Sequence, residues 1–282
     1  MKKNKNFKIR IGLICFLSIF LIIACDMRLK TVSYQIYSDK INAKVNVTLV
    51  TDLHGEKYGK EQKHLTEAIA KTNPDVVLLG GDLFDDNRSY ENTEKLLAEL
   101  SASYPCFYVP GNHEYWSKDI KNILSIVESY QIPILKGSNC IIECNGQRIN
   151  LCGIDDPDAL TYTSDSVSPL TQLKTLESTL NNETFSILLS HRPELVQQYQ
   201  QYPFDLVLCG HAHGGQWRIP GILNGFYAPN QGLFPSYAGG QYQSGTQTMI
   251  VSRGLSRITT AVPRIFNRPE LVVIEVLPAS NG

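Results

Sequence analysis

Short apolar runs closed by turn residues recur along the chain from residue 45 onward. Val45 to Val50 ends in Thr51-Asp52-Leu53-His54-Gly55, and Val76-Val77-Leu78-Leu79 ends in Gly80-Gly81-Asp82. Cys106-Phe107-Tyr108-Val109 ends in Pro110-Gly111-Asn112-His113-Glu114, and Phe185 to Leu189 ends in Ser190-His191. Asp205-Leu206-Val207-Leu208 runs into Cys209-Gly210-His211-Ala212-His213-Gly214-Gly215. Each run is short, β-branched or aromatic, and bounded by turn residues, which is the pattern of a fully buried strand. Between them, 61–71 carries Leu65, Ala68 and Ile69 on one helical face and stops before Asn73-Pro74, and 91–100 and 118–130 look similar. The alternation predicts α/β layering, with helices covering a largely parallel sheet. Ligands of such sheets bind beyond the carboxyl ends of the strands, and every polar ending quoted above falls there.

The histidines give those endings a chemistry. Of six, His54, His113, His191, His211 and His213 sit at predicted strand ends beside Asp or Asn, and only His64 lies on a predicted helix. Turn chemistry or helix capping accounts for Asp52, Asp82 or Asn112 taken singly, but not for the imidazoles beside them. A mixed nitrogen and oxygen donor set suits Zn, Fe, Mn or Co rather than Ca. In an extended segment, Asp52/His54 and His211/His213 would project to one side, with Leu53 and Ala212 turned away. Asp52, His54, Asp82, Asn112, His191, His211 and His213 are too many ligands for one four-coordinate ion, and two ions sharing a bridging carboxylate fit the count better.

As an ordered set, Asp52-x-His54, Gly81-Asp82, Gly111-Asn112-His113-Glu114, His191 and Gly210-His211-x-His213 resembles the calcineurin-like binuclear metallophosphoesterases. The resemblance implies a four-layer α-β-β-α sandwich, two central mixed β-sheets flanked by helices. It implies Asp82 bridging two transition-metal ions, with Asp52, His54 and His213 on one and Asn112, His191 and His211 on the other. It also implies phosphate ester hydrolysis in which the ions activate water, and in which His113, not a ligand, protonates the leaving oxygen or stabilises phosphoryl charge. Tyr37-Ser38-Asp39-Lys40 and the stretch 264–270 resemble a narrower, membrane-anchored YkuE-like subgroup. Some of its relatives are linked to cleaving the pyrophosphate of a UDP-acylglucosamine, an alternative substrate class. A catalytically silent metal-binding scaffold is the alternative from outside enzymology.

The remaining sequence sets the surroundings. Lys2, Lys3, Lys5, Lys8 and Arg10 precede an apolar run from Ile11 to Cys25, the layout of a secretory signal, and the run is shorter than the ~20 residues that comfortably span a bilayer. Its ending, Ile22-Ile23-Ala24-Cys25, resembles the lipobox of bacterial lipoproteins, and a retained signal-anchor helix is the rival reading. Either places the body outside the cytoplasm at the bacterial membrane, since the basic flank stays inside. The expected organisation is therefore 1–25 signal or anchor, 26–44 stalk or first strand, and 45–282 one catalytic domain. A formal net charge of −1 over 282 residues lacks the basic excess of a nucleic-acid binder. The expected substrate is a small-molecule or lipid-linked phosphate ester. Cys140, Cys144 and Cys152 leave room for a disulfide, while Cys106 and Cys209 read as buried thiols. The stretch after His213, through Trp217, Phe226, Tyr227, Phe234, Tyr237 and Tyr242, reads either as an apolar wall for a leaving group or, preferred, as a satellite core. Arg218, Arg253 and Arg257 are candidates for phosphate contact or for ordinary pairing.

Overall fold

The computed structural model describes residues 2–258 and 263–279, so the last three residues of the 45–282 body and 259–262 lie outside the described residues. The chain opens with α1 (Lys2–Ala24), then β1 (Lys30–Ser38), β2 (Val45–Val50), α2 (Lys63–Ala70), β3 (Val76–Gly80), α3 (Glu91–Ser103) and β4 (Cys106–Val109). After α4 (Asn112–Trp116) and α5 (Ile120–Ser129) come the hairpin β5 (Ser138–Cys144) and β6 (Gln147–Gly153), α6 (Ala159–Tyr162), α7 (Pro169–Glu177), β7 (Phe185–Leu189), α8 (Val196–Tyr199) and β8 (Leu206–Cys209). The two-residue strands β9 (Tyr227–Ala228) and β10 (Gly232–Leu233), then β11 (Gly240–Ser244), β12 (Gln247–Val251) and β13 (Glu270–Pro278), complete the chain order.

Two large mixed sheets result, ordered β1-β13-β2-β3-β4 and β11-β12-β8-β7-β6-β5. In the first, β13 runs antiparallel to β2 and parallel to β1, so part of 26–44 is a strand. Val47, Leu49, Val76 and Leu78 of that sheet pack on Ile187, Leu189, Leu206 and Leu208 of the second, forming an inter-sheet core. The opposite alternation of the first sheet, including Val50, Val77 and Leu79, packs on Leu65 and Ile69 of α2, Leu96 and Leu100 of α3 and Ile123 of α5. Leu188 and Val207 of the second pack on Leu173 and Leu176 of α7 and Val196 of α8. The layers are therefore helix, sheet, sheet, helix. Both alternations of the central strands are buried, which is why they read as continuous apolar runs.

No disulfide joins Cys140, Cys144 and Cys152, whose thiols are free, and burial pushes that of Cys152 up to about 12. Beyond Arg10, α1 presents Phe16, Leu17, Ile19, Phe20 and Ile22 outward on every side, so this part has no polar face. Among the described residues, no helix is long and apolar enough to cross a membrane.

Candidate metal centre

The ends of β2, β3, β4, β7 and β8 converge on one edge where the two sheets meet, and all the histidine-bearing endings lie there. One ligand atom each from Asp52, His54, Asp82 and His213 lies within 4.8 Å of the others, and the same holds for Asp82, His191 and His211. Asp82 belongs to both groups, and all six residues are buried. Asn112, also buried, leaves its side-chain Oδ1 without a hydrogen-bond donor, and Asp82 Oδ2, His54 Nε2 and His191 Nε2 are likewise unpaired. Orphaned donors and acceptors at this density are rare inside a folded protein, and nitrogen and oxygen atoms left open in this way fit transition-metal cations.

The backbone reaches this arrangement differently from the extended pairs predicted. Asp52, His54, Asp82, His211 and His213 take φ of 53°, 49°, 51°, 67° and 47°, so the i, i+2 pairs meet through left-handed turns and not across a pleat. For side chains other than glycine this region costs about 1–3 kcal/mol each, and surrounding contacts must hold it. Backbone bonds from the Asp52 nitrogen to the Gly81 carbonyl (3.0 Å) and from the His54 nitrogen to that of Asp82 (2.9 Å) tie the first two turns together. Gly81 itself has φ +86°, and a Cβ there would stand 2.7 Å from the Gly111 nitrogen, which explains the glycines next to the carboxylate.

Neighbouring groups fix each side chain. The Asp52 carboxylate accepts from the His211 backbone N–H at 2.9 Å, and Asp82 Oδ1 accepts from that of His113 at 2.9 Å. His191 Nδ1 faces the Gly80 carbonyl at 2.8 Å, which directs Nε2 toward Asp82 Oδ2, 3.0 Å away but outside hydrogen-bonding alignment. His54 Nδ1 lies 3.1 Å from Asp85 Oδ2. Burial opposes charge on His191, but the Asp82 carboxylate outweighs it and pushes the imidazole up to about 10. Burial likewise works against the Asp82 carboxylate, yet His191, His113 and His54 hold it well below the usual range. Burial, reinforced by Arg192 and His191, holds His211 well below its ordinary value, and burial with His54 and Arg264 does the same for His213. Both are neutral imidazoles, the form that can ligate a cation.

His113 stands beside this group, one-fifth exposed, where the others are closed. Its Nδ1 lies 2.9 Å from Asp86 Oδ1, and its ring packs on those of His54 and Trp116 with centroids 4.4 and 4.7 Å apart.

Several residues that matter here carry no assignment from the sequence. Glu114 reaches back from the first turn of α4 and accepts from the Gly111, Asp82, Leu83 and Phe84 nitrogens at 2.7–3.1 Å. Arg192 is buried in a two-pronged pairing with Asp156, and its Nη1 reaches Asn230 Oδ1 at 2.7 Å; that oxygen lies 2.8 Å from His211 Nε2. Asp155-Asp156 closes β6 just as the histidine motifs close their strands, so the strand-end pattern could have found it. Asn230, in an irregular loop, carries no such signal.

Two readings that the sequence left open are narrowed by the contacts. Arg253 is enclosed by Glu270, Asn224 and the Gly239 carbonyl, Arg218 donates to the Asn224 carbonyl, and Arg257 pairs with Glu56 while lying over the Tyr58 ring. Internal pairing, not phosphate, accounts for these three. Of the aromatics after His213, Tyr237 and Tyr242 do pack against the second sheet's outer core. Trp217, Phe226 and Phe234 do not: Trp217 stacks on Phe226 and Phe234 meets Phe226 edge-on, with centroids 5.9 and 5.6 Å apart, and all three are exposed.

Strand-end ligand groups at the junction of two mixed sheets define a class, and the chain belongs to the calcineurin-like phosphoesterase family, whose profile matches residues 45–215. An uncharacterized metallophosphoesterase of Helicobacter pylori J99 is 33% identical over 253 residues, 88% of this chain and 64% of the relative, so the chain spans under two thirds of that relative's length. The uncharacterized metallophosphoesterase YkuE of Bacillus subtilis is 27% identical over 220 residues, 76% of this chain and 72% of YkuE. Among solved structures, the 5'-nucleotidase precursor of Thermus thermophilus superposes with a TM-score of 0.53 at 12% identity, covering 83% of this chain and 54% of that one, a likeness of fold.

Proposed function

We propose that the chain is a metal-dependent phosphoesterase that hydrolyses a phosphate monoester or diester, attached to the membrane through its N-terminal segment. The observation that carries this reading is the pair of buried ligand groups sharing Asp82, each with side-chain atoms left unpaired. Asp52, His54 and His213 would hold one cation and Asn112, His191 and His211 the other, with Asp82 between them. Two such cations, whether Mn, Fe, Zn or Co, neutralise phosphoryl oxygens and lower the pKa of water.

The chain's own residues supply the rest. Asp86 engages Nδ1 of His113, which leaves the ring's other nitrogen to serve the leaving oxygen. The edge-on packing against His54 and the Trp116 ring hold His113 at the mouth of the site. A scaffold that only bound metal would need none of this. The basic stretch ahead of the apolar run supports attachment with the body on the extracytoplasmic side, through a lipidated Cys25 or a retained anchor.

The full chain in detergent, stripped of metal and reloaded with Mn, Zn, Fe or Co, tests the reading on an aryl phosphate monoester and diester. Asp82→Asn should lose metal and turnover together. His113→Ala should keep the metal and lose about 10²–10⁴-fold in kcat. Near-normal turnover in His113→Ala removes the proton-donor role. Two ions bound with no turnover of either ester moves the reading to a pyrophosphate substrate or to the scaffold.

A further inference from the structure

A feature that the site leaves unexplained is an apolar face on the loop after His213. Trp217, Ile219, Ile222, Phe226, Leu233 and Phe234 are all exposed, Ile222 at 85% and Phe234 at 63%. Isolated exposed apolar residues are ordinary, whereas a contiguous set in one loop is the mark of an interaction surface. The loop is not loosely held. The Phe226 nitrogen donates to the Gly215 carbonyl at 2.9 Å, the Phe234 nitrogen donates to the Phe226 carbonyl at 2.8 Å, and the Phe226 ring stacks on Trp217 and meets Phe234 edge-on. A firm backbone thus displays side chains that have no core to enter.

The place of this face in the molecule identifies what covers it. Trp217 is bridged to Ile265 and donates its ring N–H to the Pro263 carbonyl at 2.9 Å. One residue on, the Phe266 nitrogen donates to the Ala24 carbonyl at 2.7 Å, and the Phe266 ring meets that of Phe20 with centroids 5.3 Å apart. The aromatic loop is therefore continuous, through 263–266, with the end of α1. A helix that is apolar all round is at rest only in a protein core or in lipid, and α1 has no core against it. Cys25 stands at the same junction, so a lipid on that cysteine would enter the bilayer from the same point.

We infer that the Trp217–Phe234 loop is a second membrane contact, an aromatic foot that rests in the interfacial region of a phospholipid bilayer beside the N-terminal attachment. Tryptophan beside an apolar helix end is suited to the headgroup boundary, where one part of the ring system is dry and the other wet, and Phe226 and Phe234 add purely apolar surface on its lipid side. The foot also lies beside the chemistry: the Phe226 nitrogen donates to the Gly215 carbonyl, two residues from His213, and Asn230 of the same loop lies 2.8 Å from His211 Nε2. Seating it brings the metal centre close to the membrane surface, and the substrate class that follows is a phosphate ester presented from the bilayer. The inference rests on the membrane attachment proposed above.

Trp116 and Trp217 are the two tryptophans of the chain, which makes their fluorescence a direct test. The full chain carrying Trp116→Phe, reconstituted into phosphatidylcholine and phosphatidylglycerol vesicles with or without bromine on the acyl chains, reports Trp217 alone. The chain carrying Trp217→Phe reports Trp116. Trp217 should emit to the blue of Trp116, be strongly quenched by brominated acyl chains and be shielded from iodide. Trp116, at the site, should be reached by iodide and spared by bromine. A chain that joins the vesicles while Trp217 stays unquenched overturns the foot and leaves the attachment standing, whereas a chain that does not join them overturns both. Should either substitution fail to fold, hydrogen exchange on the unaltered chain decides. Slower exchange at 217–234 in vesicles than after proteolytic release of the body supports the contact, and equal exchange refutes it.

Discussion

Asn230 orients a ligand that lies on another element. Its side-chain oxygen, identified as oxygen because the Arg192 guanidinium can only donate to it, sits 2.8 Å from His211 Nε2. Arg192 Nη1 lies 3.1 Å from the same nitrogen, so the amide and the guanidinium together fix the orientation of the ring. Arg192 is in turn held by both oxygens of Asp156. Replacing Asn230 by Leu should weaken one of the two metal sites about 10–100-fold, as loss of an outer partner of a ligating histidine does, with Asn230→Asp retaining more of the affinity. Competition against a chelator of known strength measures this without recourse to turnover, and unchanged affinity in Asn230→Leu would remove the orienting role. The contrast with His211 explains what was legible at this scale. His211 announces itself by type and by its place after an apolar run. Asn230 lies in a stretch without periodicity and is brought to the site only by the fold. The left-handed turns at Asp52, His54, Asp82, His211 and His213 were equally hidden, because alternation along a sequence does not report the sign of φ.

At the scale of elements, α4 serves as a bracket. It is five residues long, too short to stand by its own hydrogen bonds, yet Glu114 within it gathers four backbone N–H groups from the loops after β3 and β4. Those loops carry Asp82 and Asn112. Glu114→Gln keeps the shape but gives up the charge and one acceptor, and it should cost about 2–3 kcal/mol, read as a lower urea midpoint with unchanged m-value. Stability within experimental error of the parent would show that the loops hold without the bracket. The central strands were plain in the sequence: β2, β4 and β7 coincide with the predicted runs because burial on both faces keeps them mainly apolar and turn residues mark where they stop. The start of α3 at Glu91 matches the predicted one, while its end and both ends of α2 and α5 differ by a residue or more, since capping depends on contacts that periodicity does not contain. The β5–β6 hairpin has one exposed edge strand and so lacks the continuous apolar signal, although its Asn145-Gly146 turn, both residues at positive φ, is the usual sequence mark of a hairpin.

The whole molecule is joined at its metal edge as well as along its core. Asp52, Asp82 and Asn112 come from the first sheet and His191, His211 and His213 from the second, so cations held by both groups would pin the sandwich at one rim. Stripping them should lower the unfolding temperature, and resupply at 100 to 1,000 times the dissociation constant should restore about 3–4 kcal/mol. With His191 pushed up to about 10 by Asp82 in the metal-free chain, its proton must leave before Nε2 can ligate. Loading therefore releases protons and weakens as pH falls. Titration calorimetry in two buffers of different ionisation enthalpy counts the protons, and a heat independent of buffer would contradict the pairing. The order of strands in the first sheet has a further consequence, for how the protein is made. β13 lies between β1 and β2, although it follows both by more than two hundred residues of chain. While a ribosome is still producing the second sheet, β2 has one uncovered edge and β1 has no partner at all, an exposed template for wrong pairings. Closure of the first sheet thus waits until Glu270–Pro278 has been made, and a nascent chain stalled before residue 270 would be a client for whatever factors guard unfinished proteins.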